Sequence, residues 1–91
     1  MLFMVHMTVN IPASLPAEEA ARIKAEEKQY SQDLQRSGKW QHIWRIVGEY
    51  ANVSIFDAET NDELHDMLSK LPLFPFMTIK VTPLAKHPSA I

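Results

Sequence analysis

The chain has 91 residues, room for one small domain and not two, since each half would be too short to hold a core. Hydrophobic residues make up 46% and charged residues 22%, a balance that excludes a disordered chain, and a formal net charge of −2 gives no sign of a nucleic-acid or anionic-membrane surface. The absence of cysteine excludes disulfide staples and thiolate metal sites, so a domain that buries only about 60–65% of its unfolded surface is expected to gain stability by self-association.

Residues 2–10 alternate large apolar side chains with others in a Val- and Met-rich run, the period-two signature of a strand. Ile11 to Pro16 holds two prolines and Ser14, a loop leading into a helix. From about Pro16 to Ser37 the chain is rich in Ala, Glu, Lys and Gln, and Gly38 stands where a left-handed residue ends a helix. Trp40–Val47 and Tyr50–Phe56 are rich in β-branched and aromatic residues; separated by Gly48 and Glu49, they read as a hairpin. Thr60 and Glu63 have capping-box spacing, and Leu64, Met67, Leu68 and Leu71 follow at i, i+3, i+4 and i+7, with Pro72 to stop that helix. Phe74 to Thr82 reads as a last strand and 83–91 as an irregular tail. No segment approaches the roughly 20 apolar residues that span a bilayer, and the opening MLFMVHMTVN lacks the basic start of a signal peptide, so a cytoplasmic chain is expected.

This order predicts an α+β, ferredoxin-like βαββαβ fold over 1–91, a four-stranded antiparallel sheet with two helices on one face. In the first strand Phe3, Val5, Met7 and Val9 share one side and Leu2, Met4, His6 and Thr8 the other. In the second, Trp40, Trp44 and Ile46 are expected on one side, with Ile43 and Val47 opposite. Both sides carry bulky apolar groups, whereas a sheet with one wet face alternates more cleanly. The face away from the helices is therefore expected to pair with a second copy.

Turning the first helix at about 100° per residue places Pro16, Ala20, Ile23, Tyr30 and Leu34 on a narrow apolar stripe. Glu27 lies in the middle of that stripe, where a Leu would be expected, while Glu26 and Lys28 face outward. A buried carboxylate is costly unless it is paired, hydrogen-bonded or functional, and desolvation raises its pKa toward the range of a general base. Glu27 either moves a proton in a cleft between helix and sheet, forms an internal salt bridge to Arg45 or Lys24, or lies on a helix that simply stands off the sheet.

Other candidates carry weaker signals. His6, His42, His65 and His87 are scattered without ligand spacing, so no metal site is expected. Ser14, Ser31 and Ser54 lack the neighbours of an activated nucleophile, and Gly38 and Gly48 alone cannot build a phosphate loop. Trp40, Trp44, Phe74 and Phe76 suit a ligand wall or simply a core. Asn52 and Ser54 put polar atoms mid-strand beside Tyr50, able to bond a ligand or each other across a dimer seam.

The segments MLFMVHMTVNIP, IKAEEKQYSQDLQRSGKW, HIWRIVGEYANVSIFD and LPLFPFMTIKVTPLAKHPS together resemble the muconolactone Δ-isomerase family over essentially the whole chain. The resemblance implies a small bacterial enzyme of catechol breakdown in the β-ketoadipate pathway. It implies a dimeric α+β barrel paired through its sheets and assembled into homodecamers. It implies no metal or organic cofactor, and a reaction that turns muconolactone into 3-oxoadipate enol-lactone by moving the ring double bond. That 1,3-proton shift needs one base that takes and returns a proton, and a donor near the lactone carbonyl. The family's AEEK stretch falls on Glu26 and Glu27, and the helical wheel selects Glu27 as the catalytic base.

The substrate also carries a free carboxylate, for which Arg45, Lys24 and His6 are the nearest expected partners. Tyr30, one turn from Glu27, is expected to donate to the lactone or to Glu27 itself, with Asn52 and Ser54 as strand-borne donors. The tail segment from Lys86 to Ser89 is expected to reach across to a neighbour's pocket. Rival readings are a 5-chloromuconolactone dehalogenase on the same scaffold, a non-catalytic ferredoxin-like binding or assembly module, and a cofactor-free monooxygenase or haem-degrading relative.

Overall fold

In the computed structural model, which describes residues 1–91, the alternating run becomes strand β1, Leu2–Val9. Phe3, Val5, Met7 and Val9 are buried on one side, and Met4, His6 and Thr8 are half-buried on the other. β1 lies inside a four-stranded sheet of order β2-β3-β1-β4, paired antiparallel with β3 (Ala51–Asp57) and with β4 (Met77–Leu84). Strand β2, Trp40–Arg45, forms one edge and pairs antiparallel with β3. The hairpin turns through Gly48 at φ +82°, a left-handed conformation that glycine adopts without strain, and the Glu49 N–H closes it on the Ile46 carbonyl at 3.1 Å.

Helix α1 spans Ala17–Arg36, with Glu18 and Glu19 complementing the positive end of its dipole. It ends at Gly38, φ +83°, whose N–H bonds the Gln35 carbonyl at 3.1 Å. Helix α2, Asn61–Ser69, is capped by the Thr60 hydroxyl, which accepts the Glu63 N–H at 3.0 Å. The Glu63 carboxylate accepts from the Lys39 ammonium at 3.0 Å and from the Glu59 N–H at 3.2 Å, and these bonds, the Lys39 one first, lower its pKa below 4.5. Leu64, Met67 and Leu68 of α2, with Leu71 just beyond its end, are buried with Phe3, Val5, Met7, Trp40 and Phe56, and Tyr30 and Leu34 of α1 pack on the same cluster. Both helices therefore lie on one sheet face.

Two local expectations are corrected. A bulge between Trp40 and His42 inserts one residue into β2, so Trp40 shares the helix side with Ile43 and Arg45, and Trp44 joins His42 on the opposite face. The His42 and Trp44 rings stack there at 5.0 Å. The last strand begins at Met77 rather than Phe74, because Pro75 has no N–H to give a ladder and Phe74–Phe76 closes instead into a 3₁₀ turn. It continues to Leu84, carrying Pro83 on an edge strand where a missing donor is tolerated.

The face away from the helices is uncovered by the chain itself. Leu2, Trp44 and Leu84 are exposed on it, and Met4, Val53 and Ile55 half-buried. No helix is long and apolar enough to cross a membrane.

Candidate active site

A cavity of about 420 Å³ opens between the middle of α1 and the hairpin end of the sheet. Its floor is apolar, made by Val9, Ile43, Trp40 and Met77, and its polar wall carries Lys24, Glu27 and Lys28 from α1 with Arg45 and Asn52 from the strands. Glu27 is the only carboxylate on that wall, and no histidine reaches it.

Glu27 sits where the wheel places it, on the half-buried stripe with Ala20, Ile23, Tyr30 and Leu34, although Pro16 itself is exposed. It belongs to none of the ion pairs of the protein, so the internal salt bridge to Arg45 or Lys24 is not formed. One oxygen, Oε1, accepts the Leu73 N–H at 2.9 Å. Burial pushes its pKa above 4.5, and the Leu73 hydrogen bond opposes that rise without cancelling it. Leu73 precedes the 3₁₀ turn and its N–H is not used there, so the turn supplies a fixed donor to the carboxylate. The second oxygen, Oε2, has no partner in the protein.

Three cations line the same cavity. Lys24, Lys28 and Arg45 form no ion pair, so their charges are uncommitted. The Arg45 guanidinium lies 5.4 Å from the centroid of the Tyr50 ring and makes only a long 3.5 Å bond to the Glu49 carbonyl. Such a wall suits an anionic ligand beside a half-buried carboxylate.

The other expected site residues divide. Asn52 lines the cavity; Ser54, fully buried beneath it, does not, and donates its hydroxyl to Asn52 Oδ1 at 2.7 Å. The two residues thus bond each other along one strand. Tyr30 turns toward the core and donates to the Met67 carbonyl at 2.8 Å, joining α1 to α2 rather than facing the cavity. Burial raises its pKa above 10.0. His6 is on the uncovered sheet face, opposite the cavity, because the register pairs it with Val53 and Lys80 and not with the inward residues.

Lys28 and Leu73 also line the cavity, and neither stands out in the sequence as a candidate for it. Lys28 lies outside the apolar stripe, but a four-carbon stem lets its ammonium reach the rim. The Leu73 contribution is a backbone N–H, visible only as a residue between two prolines, where few donors are committed to a regular ladder. The Trp40 ring lines the floor, and its Nε1–H is buried without a partner. No three His, Asp or Glu side chains converge in a way that would hold a metal ion.

A model of the family described as muconolactone delta-isomerase matches residues 1–90. The chain is 66% identical to muconolactone Delta-isomerase 1 of Acinetobacter lwoffii, covering all of this chain and 95% of that protein. It is 63% identical to muconolactone Delta-isomerase of Cupriavidus pinatubonensis, covering all of this chain and 99% of the other. Among solved structures, a crystal structure of muconolactone isomerase superposes with a TM-score of 0.95 at 52% identity, over all of this chain and 95% of that one. A 5-chloro-2-hydroxyhydroquinone dehydrochlorinase from Burkholderia phenoliruptrix shares the fold, with a TM-score of 0.72 at 20% identity over 96% of each chain. With a family model over nearly its full length and curated relatives at this identity, the chain belongs to the muconolactone Δ-isomerase family.

Proposed function

We propose that this chain is an isomerase that converts muconolactone into 3-oxoadipate enol-lactone, a step in bacterial breakdown of aromatic compounds through catechol. The observation that carries the reading is Glu27: a half-buried carboxylate in no ion pair, with one free oxygen, alone among three uncommitted cations. The free Oε2 takes the acidic ring proton, and the electron pair spreads into the lactone carbonyl as a dienolate. The protonated Glu27 then returns the proton at the allylic carbon, so one C–H bond breaks, one forms, and the double bond moves. No electrons leave or enter, and no oxidant is required.

The lactone carbonyl gains negative charge during the shift and needs a fixed donor, which the Asn52 amide lining the same cavity supplies. The substrate carboxylate pairs with Arg45, with Lys24 and Lys28 adding to the field. Keeping the substrate still is part of the catalysis, since a single base must serve two carbons.

Two copies pair through the uncovered sheet faces in this reading, forming a dimeric barrel that assembles further into the decamer the family resemblance implies. Exposed Leu2, Trp44 and Leu84 support it, as does the buried His6 Nε2 that lacks a partner within one chain. A charged lactone acid does not cross a bilayer unaided, which suits action in the cytoplasm.

Purified protein given muconolactone and its 5-chloro analogue tests the function. Enol-lactone formation without chloride release is expected; chloride release at the rate of isomerisation would make the protein a dehalogenase instead.

A further inference from the structure

We infer that Ser54 is a positioning residue: its buried hydroxyl fixes which end of the Asn52 amide faces the cavity. An amide has two nearly isosteric ends with opposite chemistry, an acceptor oxygen and a donor NH₂. Only the donor end stabilises charge on a lactone carbonyl, so the orientation of Asn52 decides whether it helps or opposes the reaction. The inference rests on the isomerase reading for its catalytic consequence, though not for the orientation itself.

The orientation follows from accounting for hydrogens. Ser54 is fully buried, and its cross-strand neighbours on the two sides are Val5 and Ile43, neither of which offers a side-chain acceptor. Its hydroxyl lies 2.7 Å from the Asn52 side chain and makes no other hydrogen bond. A buried O–H needs an acceptor. With Oδ1 toward Ser54, the hydroxyl proton is satisfied and Nδ2 is left free. With the amide reversed, Nδ2 would donate to Ser54 Oγ and the hydroxyl proton would have nowhere to go. Asn52 Nδ2 makes no hydrogen bond to the protein, while Asn52 lines the cavity, so both amide hydrogens are available to a ligand. Strand geometry makes the device possible: residues two apart on β3 project to the same face, so the lower side chain braces the upper one.

A double-mutant cycle in the assembled protein tests the role. Ser54→Ala is expected to lower kcat about 5- to 10-fold, the bias one hydrogen bond imposes, with KM changed less than twofold. In the Asn52→Ala background the same substitution is expected to change kcat less than twofold. An equal loss in both backgrounds would show that Ser54 acts through the fold and overturn the inference.

A neutron structure of the deuterated protein gives a readout independent of turnover. Deuterons on Ser54 Oγ toward Asn52 Oδ1, and on Nδ2 toward the cavity, are expected; Nδ2 deuterons pointing at Ser54 would refute the assignment. If the neutron map agrees but the wild-type protein fails to isomerise muconolactone, the functional reading fails and the amide orientation stands.

Discussion

Glu27→Gln separates the charge of this residue from its shape. Glutamine keeps the volume and an acceptor for the Leu73 N–H, which lies 2.9 Å from Oε1, so the loop carrying that N–H keeps its anchor. What disappears is the capacity to take a proton. Removing a general base costs roughly 10²–10⁴ in rate, and with no second carboxylate or histidine on the cavity wall the upper part of that range applies. A kcat loss of about 10³–10⁴, or about 4–5.5 kcal/mol of barrier, is expected with KM nearly unchanged. Steady-state assay on muconolactone measures it, and a variant within tenfold of the parent would refute the assignment.

The same substitution carries a stability signature of definite sign. The folded pKa of Glu27 lies above its unfolded value near 4.5 because burial of the charge outweighs the Leu73 bond. Between 4.5 and the raised value the folded chain binds more protons than the unfolded one, so stability falls as pH rises through that window. Glutamine has no charge to bury. The variant is expected to be more stable than the parent at pH 7, by roughly 1 kcal/mol since water still screens a half-buried carboxylate, or about 4–8 °C in Tm. The difference should vanish below pH 4.5. A loss of activity with a gain in stability distinguishes a base from a structural ion-pair partner, whose removal lowers both.

Arg45→Met is expected to raise KM for muconolactone about 10- to 100-fold with a smaller change in kcat, the cost of one charge-assisted hydrogen bond, and a loss confined to kcat would move Arg45 into the chemistry. Tyr30→Phe removes the 2.8 Å bond to the Met67 carbonyl and is expected to lower stability by about 1 kcal/mol in urea unfolding while kcat stays within threefold. A 10²-fold drop in kcat there would show that the phenol reaches the substrate. Trp44→Glu puts a charge on the uncovered sheet face and is expected to reduce the sedimenting mass at micromolar concentration; an unchanged mass would place the subunit contact elsewhere.

Helical periodicity was enough to place the Glu27 carboxylate toward the cavity, because a 20-residue helix with a narrow apolar stripe leaves one address for an inward carboxylate. Strand alternation was enough for Asn52, which shares its face with Ser54 on β3. It failed for Trp44, since the bulge at the start of β2 adds a residue that no local pattern announces and inverts the faces that follow. It failed for Tyr30 in a different way: the tyrosine lies on the correct stripe, yet its hydroxyl reaches an α2 carbonyl whose position only the packing defines. His6 suits an anionic substrate by its chemistry alone, while strand alternation puts it opposite Val5 and Met7, away from the cavity. Ser54 and Asn52 both face inward, so alternation marks both as ligand donors, and only depth separates the residue that touches the cavity from the one buried behind it and bonded to it.

If Glu27 carries the proton, the carboxylate that titrates is the one that limits catalysis. Carbon-13 NMR of glutamate carboxyl groups, assigned through Glu27→Gln, gives the midpoint of Glu27 in the free protein. The acid limb of kcat/KM for muconolactone reports the free enzyme's base in the same protein. The two midpoints are expected to coincide, above 4.5. A Glu27 that titrates at or below 4.5, or an acid limb that follows some other group, would contradict the assignment of Glu27 as the proton carrier.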